Sequence, residues 1–193
     1  MQQIVDFILE LDKLKAVTRK VKPLGLERYE NSAEHSWQLA LLAVSLVRYA
    51  DAPVDIARVI RMLLVHDIGE IGTGDTMFFV QEGLAERKAG ELATVTRIFG
   101  MLPEPQGPEF LALWQEFEEA ATPEARFAHA VDRAMPVLLN LSNDGQSWRE
   151  NGIAYETVVR RVGPPVRAGC PVLWEYLAAR LEEENRKGWF EIG

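Results

Sequence analysis

The chain has 193 residues, of which 48% are hydrophobic and 26% charged, a globular composition long enough to bury a core without covalent staples. Asp plus Glu number 29 against 21 Lys plus Arg, a net charge of −8 that argues against binding nucleic acid through its phosphates. One cysteine, Cys170, excludes an internal disulfide framework, and only His35, His66 and His129 are available to any histidine chemistry.

The first segment repeats apolar residues at Ile4, Phe7, Ile8, Leu11 and Leu14, the stripe of an amphipathic helix. Asp6, Glu10 and Asp12 interrupt it too often for a signal peptide, and the apolar run 39–47 falls short of the ~20 residues that cross a bilayer, so a cytoplasmic protein without membrane or nucleic-acid partners is expected. Lys15 to Tyr29 reads as a basic loop with Pro23 and Gly25. Its length makes it a candidate contributor to a site. Asn31 with Glu34 three residues on predicts a capped helix start, and a helix over about 32–49. Pro53 is read as opening the next helix, which runs through Ile56, Val59, Ile60, Leu63 and Leu64 to His66-Asp67. Gly69, Gly72 and Gly74 end that regularity.

Helices are expected over 82–99, 110–120 and 123–141, the last capped by Thr122, with a turn at Asn143-Asp144-Gly145. Two more, 153–162 and 172–186, are expected to flank a break at Gly163-Pro164-Pro165. No period-two alternation and no internal repeat is present. The expectation is an all-α, single-domain bundle of roughly eight helices over residues 1–193.

The chemistry concentrates at His66-Asp67, which follows the apolar run Met62 to Val65. Placing an imidazole and a carboxylate beside such a run is unfavourable unless they are paired or hold a metal. His35 lies in the first turn of its helix with Leu39 and Leu42 on the same face. Asp132 sits in a largely apolar helix with Ala128 and Met135. Together His35, His66, Asp67 and Asp132 offer two imidazoles and two carboxylates, a mixed set suited to one divalent ion among Mn, Co, Fe, Ni, Zn and Mg. His129 precedes Asp132 by one helical turn and is read as a neighbour rather than a ligand. The five tryptophans, Trp37 included, are read as core or interface residues, Glu182 to Glu184 as a solvated face, and Cys170 as structural.

The order His35, His66-Asp67, Asp132 on helices resembles the HD-domain phosphohydrolase superfamily. Glu34-His35-Ser36, His66-Asp67-Ile68-Gly69-Glu70, Gly74-Asp75-Thr76 and the stretch from Leu113 to Asp132 resemble more closely its 5′-deoxynucleotidases. The resemblance covers residues 14–186. It implies an HD-type helical bundle, and hydrolysis of 2′-deoxyribonucleoside 5′-monophosphates with His35, His66, Asp67 and Asp132 as metal ligands. It further implies a proton-handling role for Glu70 and a place for Asp75 near the sugar and reacting phosphate. Thr76 would contact the nucleotide, Arg19 would clamp phosphate, and the protein would be a homodimer. Members with this activity carry a tryptophan soon after that arginine, where this chain has Lys20-Val21. Lys20, Lys22, Arg28 and Arg61 are further phosphate-binding candidates. The alternatives are another nucleotide substrate, cyclic or a guanosine polyphosphate, and a non-catalytic nucleotide- or metal-binding protein on the same scaffold. Glu70 and Asp75 speak against the last.

Overall fold

The computed structural model describes residues 1–190. Its α-helices are α1 (Gln2–Leu11), α2 (Ser32–Leu46), α3 (Ile56–Val65), α4 (Glu70–Thr73), α5 (Leu84–Phe99), α6 (Gln106–Glu119), α7 (Pro123–Leu141), α8 (Gln146–Glu150), α9 (Tyr155–Gly169) and α10 (Pro171–Arg186). Eight of these have ten or more residues, and α4 and α8 are single turns beside the cleft described below. Among the described residues the β structure is limited to an isolated antiparallel bridge, Thr18 with Asn31. The architecture is all-α, as the periodicity predicts.

Helix α7 is the axis of the bundle. Phe127, Ala128, Ala130, Val131, Ala134, Val137 and Leu139 are all buried on it, so it is apolar nearly all round, as a central helix must be. It packs against α2, α3, α6, α9 and α10. Thr122 caps it, its Oγ1 accepting from the Ala125 amide at 3.1 Å. The capping box at α2 is also present. Asn31 Oδ1 accepts from the Ala33 and Glu34 amides, and Glu34 Oε2 accepts from the Asn31 amide at 3.2 Å.

Four local expectations are corrected. Pro53 does not open α3; Asp55 does, its side chain accepting from the Ala57 and Arg58 amides. A side-chain oxygen that satisfies free amides is a stronger start signal than a proline that only lacks one. The second is the Gly163-Pro164-Pro165 break, because α9 runs unbroken through both prolines. A helix-interior proline costs about 3 kcal/mol, whereas burying a valine contributes about 1.5–3 kcal/mol. Val158, Val162 and Val166 form a buried stripe at four-residue spacing, whose burial is of the same size as the cost of the two prolines. Third, Trp37 is 63% exposed rather than packed in the core. Trp114, Trp148 and Trp174 are buried as expected, while Glu184 is buried between Arg180 and Lys187 and does not belong to the solvated face. No helix among the described residues is long and apolar enough to cross a membrane.

Candidate functional site

Four helices bring the chemistry together. His35 lies in the first turn of α2, His66 and Asp67 follow the C-terminus of α3, Glu70 opens α4, and Asp132 is midway along α7. His35 Nε2 lies 3.0 Å from Asp132 Oδ1, and His66 Nε2 lies 3.0 Å from Asp67 Oδ1 and 3.7 Å from Asp132 Oδ1. One ligand atom from each of His35, His66 and Asp132 falls within 4.8 Å of the others, and all three residues are buried. Asp67 stands beside this trio through its contact with His66.

The His66 ring is fixed from behind. Its Nδ1 lies 2.9 Å from the Leu63 carbonyl, as a donated hydrogen bond, which leaves Nε2 to face the cluster. That Nε2 is buried and has no hydrogen-bond partner. A buried nitrogen turned toward two carboxylates is the state expected of a metal ligand, so the residues fit a divalent ion. Trp114 Nε1 donates to the His66 carbonyl at 3.0 Å and pins the doublet against α6.

Burial works against charge on the His66 ring, but Asp67, Asp132 and Glu70 outweigh it and push its pKa up to about 9. Burial also opposes charge on Asp132. Arg133, His35 and His66 reverse that and hold its carboxyl well below the usual carboxylate range. Glu70 goes the other way. Burial first and the Asp67 charge second push its carboxyl up to about 9, and Arg19 and the Ser32 hydroxyl only partly oppose them. Ser32 Oγ donates to Glu70 Oε2 at 2.7 Å. Asp75 is raised mainly by burial, with Arg19 pulling back.

The loop before α2 enters this site as a short antiparallel pairing. The Arg19 amide donates to the Glu30 carbonyl and the Glu30 amide to the Val21 carbonyl, both at 2.9 Å. This pairing sets the two side chains next to each other. Arg19 Nη1 donates to Asp67 Oδ2 at 3.0 Å and lies 3.6 Å from Asp75 Oδ1, while its Nε is 3.3 Å from Glu30 Oε1. Glu30 is 2% exposed and also lies 3.4 Å from His35 Nδ1, so one buried carboxylate supports a histidine and an arginine at once. Sequence reasoning missed Glu30. Its neighbour Asn31 marks a helix cap, but nothing local shows that a loop glutamate turns inward.

Gly74, at φ +76°, reverses the chain after α4 and returns Asp75 and Thr76 to the site. Gly69 fits α4 against α5, since a Cβ there would meet Glu91 Cβ at 2.8 Å. The result is a cleft of about 320 Å³, lined by Arg19, Lys20, His66, Asp67, Glu70, Asp75, Thr76 and Asp132 among others. That volume suits a mononucleotide-sized ligand. His35 lies beneath it, fully buried.

Other candidates fall outside. Arg61 is exposed and does not line the cleft. Lys22 is near Glu27 and Glu150, and Arg28 pairs with Glu34. His129 stacks on Phe117 at 4.1 Å and donates from Nε2 to the Phe117 carbonyl at 2.7 Å. Cys170 is buried and free, its thiol directed at the Tyr49 carbonyl.

Three cleft residues were not legible as site residues. Arg133 Nη1 lies 3.1 Å from Asp132 Oδ2 and its guanidinium covers the Phe78 ring at 3.9 Å. Arg161, from α9, reaches the same ring at 4.9 Å. Only the adjacency of Arg133 to Asp132 gave any signal in the sequence.

The family model described as HD domain matches residues 11–174, most of the chain. The 5′-deoxynucleotidase HDDC2 of Danio rerio is 26% identical over 133 residues, 66% of this chain and 65% of that protein. Its Homo sapiens counterpart is 26% identical over 138 residues, 71% of this chain and 66% of that protein. The chain thus spans just under two thirds of the length of these curated relatives. A crystal structure described as a predicted metal-dependent phosphohydrolase from Magnetospirillum magnetotacticum MS-1 superposes with a TM-score of 0.90 at 40% identity, covering 97% of this chain and 96% of that one. A Pyrococcus horikoshii OT3 protein shares the fold, with a TM-score of 0.63 at 21% identity over 94% of this chain and 98% of that one. With its paired histidines and aspartates set on helices and the family match running over most of its length, the chain belongs to the HD-domain family.

Proposed function

We propose that the protein is a divalent-metal-dependent phosphohydrolase that releases phosphate from 2′-deoxyribonucleoside 5′-monophosphates. The observation that carries this reading is the buried His35, His66 and Asp132 cluster beneath a mononucleotide-sized cleft that also holds Arg19, Glu70 and Asp75. The hydrolase class draws support from the Magnetospirillum magnetotacticum structure, and the substrate from the names of the more distant relatives.

A divalent ion held by His35, His66, Asp67 and Asp132 would polarise the phosphate and supply a water ionised near neutral pH. Arg19 is buried and its charge is raised in favour by Asp67 and Asp75, so it stays cationic at any working pH. Its fork would turn from Asp67 toward the phosphate once the cluster carries a cation of its own. Glu70 sits one turn beyond the doublet with its carboxyl raised by burial and by the Asp67 charge, and it would handle the proton of the attacking water or of the departing 5′ oxygen. Asp75 would accept from a sugar hydroxyl, and Thr76 would contact the same end of the ligand. Phe78 and Phe117 in the cleft wall would limit water.

A homodimer belongs to the same reading. Trp37, Leu41 and Val44 are exposed at helical spacing on one face of α2, an apolar stripe that a second copy would cover. Sedimentation that gives a monomer at micromolar concentration would remove it.

The test is phosphate release by the purified protein with Mn²⁺ or Co²⁺ from a panel of nucleotides. Turnover of deoxynucleoside monophosphates is expected. No release from any nucleoside monophosphate with several metals would overturn the substrate. Turnover of only cyclic nucleotides or guanosine polyphosphates would move it elsewhere in the class. Stoichiometric binding without turnover would make the protein a sensor. An Asp67→Ala variant that kept both metal and activity would remove the doublet from the site.

A further inference from the structure

The arginines at the two ends of the cleft have different partners. At the metal end Arg19 and Arg133 both face carboxylates. At the other end Arg161 has one assigned hydrogen bond, from Nη2 to the Phe78 carbonyl at 3.1 Å. Its Nε is buried with no partner, and no carboxylate among the described residues pairs with it. Ser147, the second residue of α8, lines the same cleft. It is 1% exposed, and its hydroxyl is also buried without a partner. The Asn140 side chain holds the Ser147 amide at 3.0 Å, so the residue is fixed in place. Two residues from two elements, each with a buried polar atom that the protein leaves without a partner, thus line one cavity together with Phe78 and Trp148.

Each such group costs stability in the free protein, because a buried donor without an acceptor loses its hydration and gains nothing. A ligand that brings an oxygen acceptor recovers that loss. A guanidinium carries donors only, so it selects a carbonyl oxygen over an amino group.

We propose that Arg161 and Ser147 form the nucleobase end of the cleft and select bases that carry an exocyclic carbonyl oxygen. This rests on the phosphohydrolase reading, since a phosphate at the metal end leaves the base for the far end. Guanine and thymine offer such an oxygen, whereas adenine would turn an amino donor toward the guanidinium donors. Arg161 is a specificity-determining residue and touches no reacting atom. Its hold on the Phe78 carbonyl also ties down the segment that carries Asp75 and Thr76, so a purely structural role is the competing account.

The test compares Arg161→Met, Arg161→Lys and Ser147→Ala with the parent protein on dGMP, TMP, dAMP and 2-deoxyribose 5-phosphate, which has no base. The parent is expected to favour dGMP and TMP over dAMP. Arg161→Met is expected to lower kcat/KM for dGMP and TMP, relative to 2-deoxyribose 5-phosphate, by roughly tenfold to a hundredfold, the weight of a hydrogen bond to a charged group. Arg161→Lys, which keeps the charge and loses the fork, is expected to recover part of the loss, and Ser147→Ala to lower the same ratio less. An equal loss on all four compounds would overturn the proposal in favour of the structural role, as would a parent preference for dAMP. If no compound is turned over, the proposed activity fails by itself. Calorimetric binding of the same four compounds to the Mn²⁺-loaded protein then decides Arg161: TMP bound no more tightly than 2-deoxyribose 5-phosphate would overturn it.

Discussion

The metal end of the cleft is crowded with opposite charges set against one another, while at the other end Arg161 has no carboxylate beside it among the described residues. The first arrangement suits a task that is the same for every substrate. Carboxylates, imidazoles and arginines hold one another in position, so little needs to move when charge develops. The second suits discrimination, because a group left unsatisfied by the protein is satisfied only by the right ligand. In the proposed reading one cleft separates binding the reacting group from choosing the molecule that carries it.

The largest effect should come from the metal end. Asp132→Ala is expected to lose bound metal and to lower kcat/KM by on the order of 10³, measured by metal analysis and phosphate release. A variant that keeps both would break the contrast, since a carboxylate paired with two histidines and an arginine would then be dispensable. Glu70→Gln, which keeps the shape and removes the titrating proton, is expected to lower kcat by on the order of 10² with little change in metal content. Equal loss of metal would make Glu70 a support of the ligands rather than a proton donor.

Glu30→Gln should act at one remove. It weakens the support behind His35 and Arg19, and metal affinity measured by competition with a chelator is expected to fall about tenfold to a hundredfold. An unchanged affinity would show that the paired end tolerates the loss of a buried partner.

The pH response sharpens the same contrast. In the metal-free protein His66 and Glu70 both have folded pKa values near 9, above the unfolded values of 6.5 and 4.5. Each group binds more proton folded than unfolded across the gap, so its contribution is complete below the unfolded value and is lost as pH rises toward 9. Metal-free Tm is therefore expected to fall between about pH 6.5 and 9. The added stabilisation by metal is expected to grow over the same range, because binding displaces the His66 proton. A flat metal-free profile, followed by calorimetry, would mean that neither group is held as described. The smallest effect is expected outside the cleft. Trp37→Ser on the exposed face of α2 should change stability by no more than ~0.5 kcal/mol in the monomer, read by denaturant unfolding.

Sequence alone determined the helical class, the caps at Asn31 and Thr122, and the identity of the metal-ligating candidates. These are legible because they rest on local rules. Helical period, cap chemistry and the cost of burying a charge in an apolar helix act within a few residues, and a buried Asp132 demands a cation wherever its helix lies. Tertiary structure decided what depends on which surface a residue meets. Glu30 turned out to be buried because a loop pairs with itself beneath α2. The prolines of α9 were accommodated because a valine stripe met α7, and Trp37 was left outside because nothing packs over it. Arg161 and Ser147 belong to the same class. On an amphipathic helix or beside a turn they look like ordinary surface residues. Only the placement of α8 and α9 against α7 removes these polar atoms from water and makes their residues part of the cleft lining, and burial of that kind is a property of packing that no short window of sequence contains.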